Sequence, residues 1–299
     1  MRYDMTETAR KICKRLHAYL RLERYAGKVH AVTPTSVTLE TPIGMVTILT
    51  NAHCLQPFSI VVNSTKQFPN FEIEEGQEVL LGDERVEIPA CEFTVELSQA
   101  TDLDLSVEIM QSLFLPMDLD IRMRHLLRVI ESNGGSDDVS PLVTESKSNE
   151  YCEAIRPLLP ALHDAIREQE PEDCAKAAAA IAGYGNGPTP SSDLMLCGYN
   201  AGYAGLSGAL GRSRQRVLSI TREIASGAAA KTTESAAALL LQSGEGLVSE
   251  DTFQLLRCIF SDASYQSMVA YANKVATAES GNGPDILTGI YLAVTKQLG

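Results

Sequence analysis

The sequence is short of basic residues. Its 299 residues include 25 lysines and arginines against 38 aspartates and glutamates, a formal net charge of −13 at pH 7. Surfaces that bind nucleic acid or anionic membranes draw on clustered basic side chains. The composition therefore predicts no nucleic-acid partner and no membrane partner. It leaves room for a small anion, which backbone N–H groups can hold.

Signals for export and membrane insertion are also missing. The seven cysteines form no Cys-x-x-Cys pair, which suits a reducing cytoplasm better than a disulfide framework. The charged N-terminal residues do not read as a signal peptide, and no run approaches the roughly 20 apolar residues that span a bilayer. We therefore predict a soluble, cytoplasmic protein. With 44% hydrophobic residues, the chain is long and apolar enough for two domains.

The hydrophobic pattern changes along the chain. Residues 5–24 have helical spacing, whereas β-branched runs separated by turn signals follow from about residue 28 to residue 88. Residues 93–105 are polar and predict a crossing between domains, and helical patterns dominate after Pro116. We predict an α+β fold. A helix and a small antiparallel β barrel or sandwich occupy residues 1–104, and a larger, mostly α-helical domain with two glycine-rich loops occupies residues 105–299.

One glycine-rich stretch, Gly183–Asp193, organises the helical part of the sequence. Its glycines alternate, which permits positive φ angles or a close approach to a ligand. Helix-capping residue types follow directly, so the turn leads into a helix start whose N–H groups can converge on an anion. The alternative is a tight connection between two packed helices. The stretch lacks the Gly-Lys-Ser/Thr of a P-loop and the Gly-x-Gly-x-x-Gly spacing of a dinucleotide fold.

A second stretch near the C-terminus repeats this pattern. Asn282-Gly283-Pro284 matches Asn186-Gly187-Pro188, and an aspartate, an apolar helix and a further glycine follow each tripeptide. We expect the two turns to face each other across one site, although twin capped helices without a ligand would have the same sequence. The polar residues 136–149, which precede the first of these turns in sequence, predict a mobile loop. We favour a plain linker over a functional lid for this segment.

Familiar catalytic groupings are not visible in the sequence. Its five histidines are dispersed, and no Ser-His-Asp, Cys-His or metal-binding triad can be recognised. The sequence therefore predicts no metal site and no cofactor.

The order of several short motifs resembles that of the AllH-like family. Residues 183–198 are similar to the family signature Gly-x-Gly-x-Gly-x-Thr-Pro-Ser-Gly-Asp-Asp…Gly. Further similarities are Val29-His30-Ala31-Val32, Glu75-Gly76-Gln77-Glu78-Val79, Thr232-Thr233-Glu234-Ser235-Ala236-Ala237 and Gly283-Pro284-Asp285…Gly289. The chain departs from the signature at Ser192, which replaces a glycine, and at Leu194, which replaces the second aspartate. The loss of that carboxylate weakens any argument for a metal held by the pair.

The resemblance implies a component of a three-subunit oxamate carbamoyltransferase of allantoin breakdown. Such a chain would work with two other subunits rather than alone, transferring a carbamoyl group between oxalurate and phosphate to give oxamate and carbamoyl phosphate. A small anionic metabolite, namely carbamoyl phosphate, phosphate or oxamate, would bind at the glycine-rich helix starts. The main alternative is a non-catalytic scaffold or regulatory subunit, and a lone hydrolase is a third possibility.

We assign hypothetical roles to residues on this basis. Asp193 and Asp285 would cap helices, orient donors or accept a proton from the attacking amine. The other residues would bind the anion through backbone N–H groups, hydroxyl groups or positive charge: Gly185, Asn186, Gly187, Thr189, Ser191, Ser192, Lys231, Thr232, Thr233, Asn282 and Gly283.

Overall fold

The computed structural model of the protein describes residues 5–64, 66–107, 113–278 and 283–298. The chain forms two compact units, Met1–Leu105 and Ser106–Gly299. The first unit is a β barrel with one α-helix, and the second is almost entirely helical. The predicted α+β class, with a small β structure followed by a larger helical one, is confirmed.

Hydrogen bonds join the strands of the first unit into one closed sheet. The strands are β1 Met5–Cys13, β2 Tyr25–Val32, β3 Ser36–Thr41, β4 Gly44–Leu49, β5 Ser59–Val62, β6 Glu78–Leu81, β7 Arg85–Ile88, β8 Phe93–Glu96 and β9 Thr101–Leu103. Their order is β5-β4-β3-β2-β6-β7-β8-β1, and β1 pairs back with β5, which closes an eight-stranded barrel. The short β9 adds to β1. The barrel is mixed rather than wholly antiparallel, because β4–β5, β1–β8 and β1–β9 are parallel.

Alternating side chains fill the barrel interior. In β3, Val37 and Leu39 are fully buried while Glu40 is exposed, and β6 and β7 follow the same period of two. This alternation is what a closed barrel requires, since every second residue faces the interior. The β-branched pattern that predicted strands in residues 28–88 therefore also supplies the barrel core.

Two predictions for the first unit were wrong. Residues 5–24 are not one helix, because β1 comes first and only Lys14–Leu22 forms the helix α1. The β1 strand fills the gap between β8 and β5, and this pairing satisfies backbone groups at two otherwise open edges. Residues 93–105 are not a crossing segment either. They form β8 and β9, with Phe93 and Val95 buried despite their acidic neighbours.

The second unit is a bundle of helices, with its longer connections between α2 and α3 and between α5 and α6. They are α2 Leu119–Asn133, α3 Glu150–Ile155, α4 Leu159–Glu168, α5 Pro171–Ile181, α6 Ser191–Ala209, α7 Arg214–Ala229, α8 Glu234–Gly244, α9 Glu250–Ile259, α10 Tyr265–Ala276 and α11 Gly283–Gln297. Helix α2 ends at Asn133, directly before Gly134 and Gly135. In the part of the chain that the structure describes, no helix combines the length and hydropathy needed to cross a bilayer.

Helices α6 and α11 pack closer than side chains normally allow. A Cβ on Gly198 of α6 would lie 2.0 Å from the Ile286 carbonyl oxygen, and one on Gly289 of α11 would lie 1.9 Å from the Met195 carbonyl oxygen. Gly202, one turn beyond Gly198, meets Ile290, one turn beyond Ile286. The helices therefore run parallel, and both begin at the same end of the bundle.

Replacing Gly198 by alanine should destabilise the helical unit. The new methyl group has no space against the α11 backbone, and such overpacking costs about 1–3 kcal/mol. Gly208, on the same helix, is the matched control, because its Cβ would meet only a Leu113 methyl group at 3.4 Å. Gly208→Ala should be neutral or stabilise by up to about 1 kcal/mol through helix propensity. Urea unfolding followed by circular dichroism measures both, and equal stability of the two variants would contradict this packing.

Candidate functional site

The predicted site residues gather where α6 and α11 begin. Asp193 is the third residue of α6 and Asp285 is the third residue of α11, and each is only 1% exposed. Ser191, the first residue of α6, has its hydroxyl group beside the Asp285 carboxyl group. The parallel packing of the two helices thus brings two sequence-distant aspartates to one place.

The loop before α6 folds back over the start of that helix. Gly183, Gly185 and Gly187 have φ angles of +84°, +134° and +81°, which L side chains rarely adopt. A Cβ on Gly185 would lie 2.3 Å from the Ser191 backbone nitrogen. Glycine at position 185 therefore permits both the backbone conformation and the contact with α6.

Hydrogen bonds between the loop and α6 use the Ser192 side chain. The Tyr184 N–H group donates to Ser192 Oγ, and the Ser192 N–H group donates to the Tyr184 carbonyl oxygen, both at 2.9 Å. Ser192 is fully buried. This residue, which the family signature gives as glycine, thus holds the loop in place.

Asp193 has hydrogen-bond donors on both carboxylate oxygens. Oδ1 accepts from the Gly183 N–H group at 3.0 Å, and Oδ2 accepts from the Thr232 hydroxyl group. Burial raises the pKa of Asp193, and these two hydrogen bonds oppose the rise. The carboxylate therefore fastens the loop to the segment before α8.

A second hydrogen bond from the segment before α8 holds the end of the loop. Thr233 donates its hydroxyl group to the Pro188 carbonyl oxygen at 2.5 Å, and its Oγ1 also accepts the Ala236 N–H group as the N-cap of α8. Lys231 is exposed, and its carbonyl oxygen lies 3.1 Å from where a Cβ of Gly183 would be. The predicted residues Lys231, Thr232 and Thr233 thus adjoin the loop.

Three backbone donors are left over in the loop. The N–H groups of Gly185, Asn186 and Gly187 make no hydrogen bond within the described residues, and Asn186 and Gly187 are exposed. We call these three residues the arch. By contrast, the first turn of α6 has few spare donors, since the Asp193 and Leu194 N–H groups both point to the Pro190 carbonyl oxygen.

Asp285 differs from Asp193 in that only one oxygen has a donor. Oδ1 accepts the Val139 N–H group at 2.9 Å, while Oδ2 has no hydrogen-bond partner among the residues described. The Ser191 hydroxyl group, although near, has the Asp137 carbonyl oxygen as its acceptor at 3.5 Å. Burial raises the pKa of Asp285 to about 7, and the charge of Asp138 adds to the rise.

The loop that contacts Asp285 was not recognised from the sequence as part of the site. Residues 136–149 were predicted to be mobile, but Asp138 accepts the Gly135 and Ser140 N–H groups at 2.6 and 2.8 Å, and Asn149 donates to the Asp138 carbonyl oxygen at 2.7 Å. An aspartate two residues before Ser140-Pro141 is an Asx-turn signal that indicates such local order.

The remaining predicted residues contribute less to the site. Gly283 packs against the end of α10, because its Cβ would lie 1.9 Å from the Val275 carbonyl oxygen. Thr189 is half-buried in the loop, and Asn282 lies outside the described residues. No three His, Cys, Asp or Glu side chains of the described ranges are grouped to hold a metal ion.

Two clefts lie away from these residues. One of about 560 Å³ is in the barrel unit, beside Arg21, Arg24 and Arg85, and one of about 280 Å³ is beside Pro171 and Arg216. Neither cleft is lined by the arch or by the starts of α6 and α11.

Two protein-family models match the chain. The AllH family N-terminal domain matches residues 8–102, and the oxamate carbamoyltransferase subunit AllH matches residues 181–294. The chain belongs to the AllH family. The resemblance indicated by the ordered motifs is thus confirmed, and the AllH match from 181 to 294 contains every predicted site residue. No curated protein and no solved structure matches the chain.

The AllH description also bears on function. It names the family as a subunit of oxamate carbamoyltransferase, which implies other subunits. The carbamoyltransferase part of the predicted function is therefore confirmed at the level of the family.

Removing the Asp193 carboxylate should loosen the loop. Asp193→Ala leaves the Gly183 N–H and the Thr232 hydroxyl group without an acceptor, which should lower the free energy of unfolding by about 1–3 kcal/mol. Combining it with Thr232→Ala should cost less than the sum of the two single changes, since they share one interaction. Asp262→Ala, at an exposed position, is the control and should change stability by less than about 0.5 kcal/mol. If the two single changes instead add up fully in the double variant, the hydrogen bond between Asp193 and Thr232 is contradicted.

The raised pKa of Asp285 should appear in the pH dependence of stability. The folded state keeps a proton that the unfolded chain releases near the ordinary carboxyl pKa of 3.8, so stability is lost as pH rises from there to about 7. Each pKa unit is worth roughly 1.4 kcal/mol. Urea unfolding at several pH values should show that Asp285→Asn removes this loss. If the free energy of unfolding changes with pH in the same way in the variant and the wild type, the raised pKa of Asp285 is disproved.

Proposed function

We propose that this AllH chain supplies the small-anion site of a cytoplasmic oxamate carbamoyltransferase of allantoin breakdown. The complex, with two further subunits, transfers a carbamoyl group between oxalurate and phosphate, giving oxamate and carbamoyl phosphate. The observation that carries the proposal is the arch, whose unpaired N–H groups stand beside the joint start of α6 and α11. Carbamoyl phosphate, phosphate and oxamate are all anions that such donors suit.

The local charge supports an anion despite the acidic composition of the chain. The N-termini of two parallel helices each carry a partial positive charge, and these charges add at one end of the pair. The exposed Lys231 adjoins the base of the loop. The carboxylates of Asp138 and Asp193 each accept two hydrogen bonds, which offsets their charge.

The two aspartates take different roles in this proposal. Asp193 positions the loop, because both of its oxygens are occupied. Asp285 is the group that contacts the ligand, since its Oδ2 has no partner among the described residues. The Ser191 hydroxyl group, which donates to the Asp137 carbonyl oxygen at 3.5 Å, can turn to the ligand as a further donor.

Calorimetric titration tests the proposed site. The full chain is titrated with phosphate, carbamoyl phosphate and oxamate, first alone and then with the other subunits of the complex. We expect at least one of the three to bind. Failure of all three to bind under both conditions would reject the function.

A pair of variants tests the arch itself. Asn186→Pro removes one N–H donor, whereas Asn186→Ala keeps it and removes only the exposed side chain. A hydrogen bond to a charged group is worth about 1.5–3 kcal/mol, so Asn186→Pro should weaken anion binding at least tenfold. Asn186→Ala should bind almost as the wild type does. Equal affinities of the two variants would show that the backbone donor is not used.

A non-catalytic scaffold or regulatory subunit is the second candidate function. It is favoured by the number of site groups already satisfied within the chain, namely Ser192, Asp193 and the first-turn N–H groups of α6. On this alternative, the loop serves to present a rigid surface to another subunit. Asn186→Pro would then leave carbamoyl transfer by the assembled complex unchanged, whereas the first proposal requires a loss of activity.

A further inference from the structure

Asp285 is a buried acid with an incomplete set of hydrogen bonds. It is 1% exposed, and the Val139 N–H group is the donor to Oδ1. Oδ2 has no partner within the described part of the chain. A buried polar group without a hydrogen-bond partner costs about 1–3 kcal/mol. Such an oxygen therefore points to a ligand, or to a hydrogen-bond partner that the chain itself does not supply.

The surroundings of Asp285 disfavour its ionised form. The nearby loop contributes the charge of Asp138, which raises the pKa of Asp285, and α6 contributes Ser191, whose hydroxyl group opposes the rise. From α3, Cys152 is a neutral thiol, because burial raises its pKa to about 11. The end of α10 meets the start of α11 with Val275 and Ala276, which carry no charge. Arg156, the C-cap of α3, acts on the Cys152 thiol and donates its guanidinium group to the Pro141 carbonyl oxygen at 2.9 Å. Burial is the largest effect on Asp285 and raises its pKa to about 7, so the carboxyl group retains its proton up to about that pH.

A neutral carboxylic acid is a hydrogen-bond donor, and the groups around it are donors too. The hydroxyl group of Ser191 lies beside Asp285, and Gly185 of the arch lies against the Ser191 backbone nitrogen. Ser191 therefore joins the arch to the acid. A ligand that satisfies all of these groups must offer acceptors only, which is the chemistry of an oxyanion.

We propose that Asp285 binds its ligand as the neutral acid, donating Oδ2–H to an oxygen of a small oxyanion whose other oxygens accept from the arch. Binding then takes up one proton whenever Asp285 starts ionised. The proposal rests on the proposed function, because it requires the anion to bind at the arch. The oxyanion is either the carboxylate end of an amide acid or a phosphate group, and both offer the same acceptor.

The dissociation constant for oxamate between pH 5.5 and 9 tests the proposal on the full chain, or on the assembled complex if binding needs it. Oxamate is the main probe because its carboxylate stays ionised throughout, and inorganic phosphate is the second probe. The oxamate dissociation constant should be constant below about pH 7 and should rise up to about tenfold per pH unit above it. Calorimetry in buffers of different ionisation enthalpy should show uptake of about one proton at pH 8.5.

Substitutions at position 285 separate this role from a structural one. Asp285→Asn has the same shape, keeps an oxygen for the Val139 N–H group and presents an N–H₂ donor in place of Oδ2. It should bind oxamate with a flat pH profile and exceed wild-type affinity at pH 9. Asp285→Ala should bind at least tenfold more weakly below pH 7, whereas the exposed Asp120→Asn should keep the wild-type profile.

The outcomes distinguish this inference from the proposed function. If wild-type affinity does not change with pH, or if Asp285→Asn still loses affinity as pH rises, the neutral-acid role is overturned while the anion site stands. If oxamate weakens with pH but phosphate does not, the carboxylate is the ligand of this site. If neither probe nor carbamoyl phosphate binds, the proposed function fails and this inference fails with it.

Discussion

The close approach of α6 and α11 is the constraint on which the rest of the helical unit depends. The carbonyl oxygens of Ile286 and Met195 occupy the space where the Cβ atoms of Gly198 and Gly289 would be. Helices this near, and parallel, place their N-termini together and add their partial positive charges. Larger side chains at these glycines would separate the helix starts, and Asp193 and Asp285 would no longer belong to one site.

The two aspartates show how one sequence pattern can produce two chemical states. Each stands at the third position of its helix and each is almost fully buried. Donors meet both oxygens of Asp193, whereas one oxygen of Asp285 lacks a partner among the described residues. The number of donors that neighbouring segments supply therefore decides how many oxygens of each carboxyl group are occupied within the described part of the chain.

Some features were predictable because they depend on neighbours in sequence. The strands between residues 28 and 88, the end of α2 at Gly134 and the glycine-rich start of α6 follow from local alternation, capping and turn chemistry. The first strand was missed because residues 5–13 gain their partners from β5 and β8, far along the chain. The ordered loop at Asp138 was missed because a polar composition is also typical of mobile loops, whereas Asp138 and Asn149 hold this loop through backbone partners.

The sequence alone determined the family and the α+β class, and it singled out Asp193 and Asp285, because ordered motifs and local periodicity are properties of the chain. Only the tertiary structure decided that β1 closes the barrel, that both oxygens of Asp193 accept hydrogen bonds and that one oxygen of Asp285 has no partner within the described ranges. Those outcomes depend on which distant groups come within hydrogen-bonding distance and how much water they exclude. Neither quantity is determined by local sequence, since both are set by the packing of elements remote in the chain.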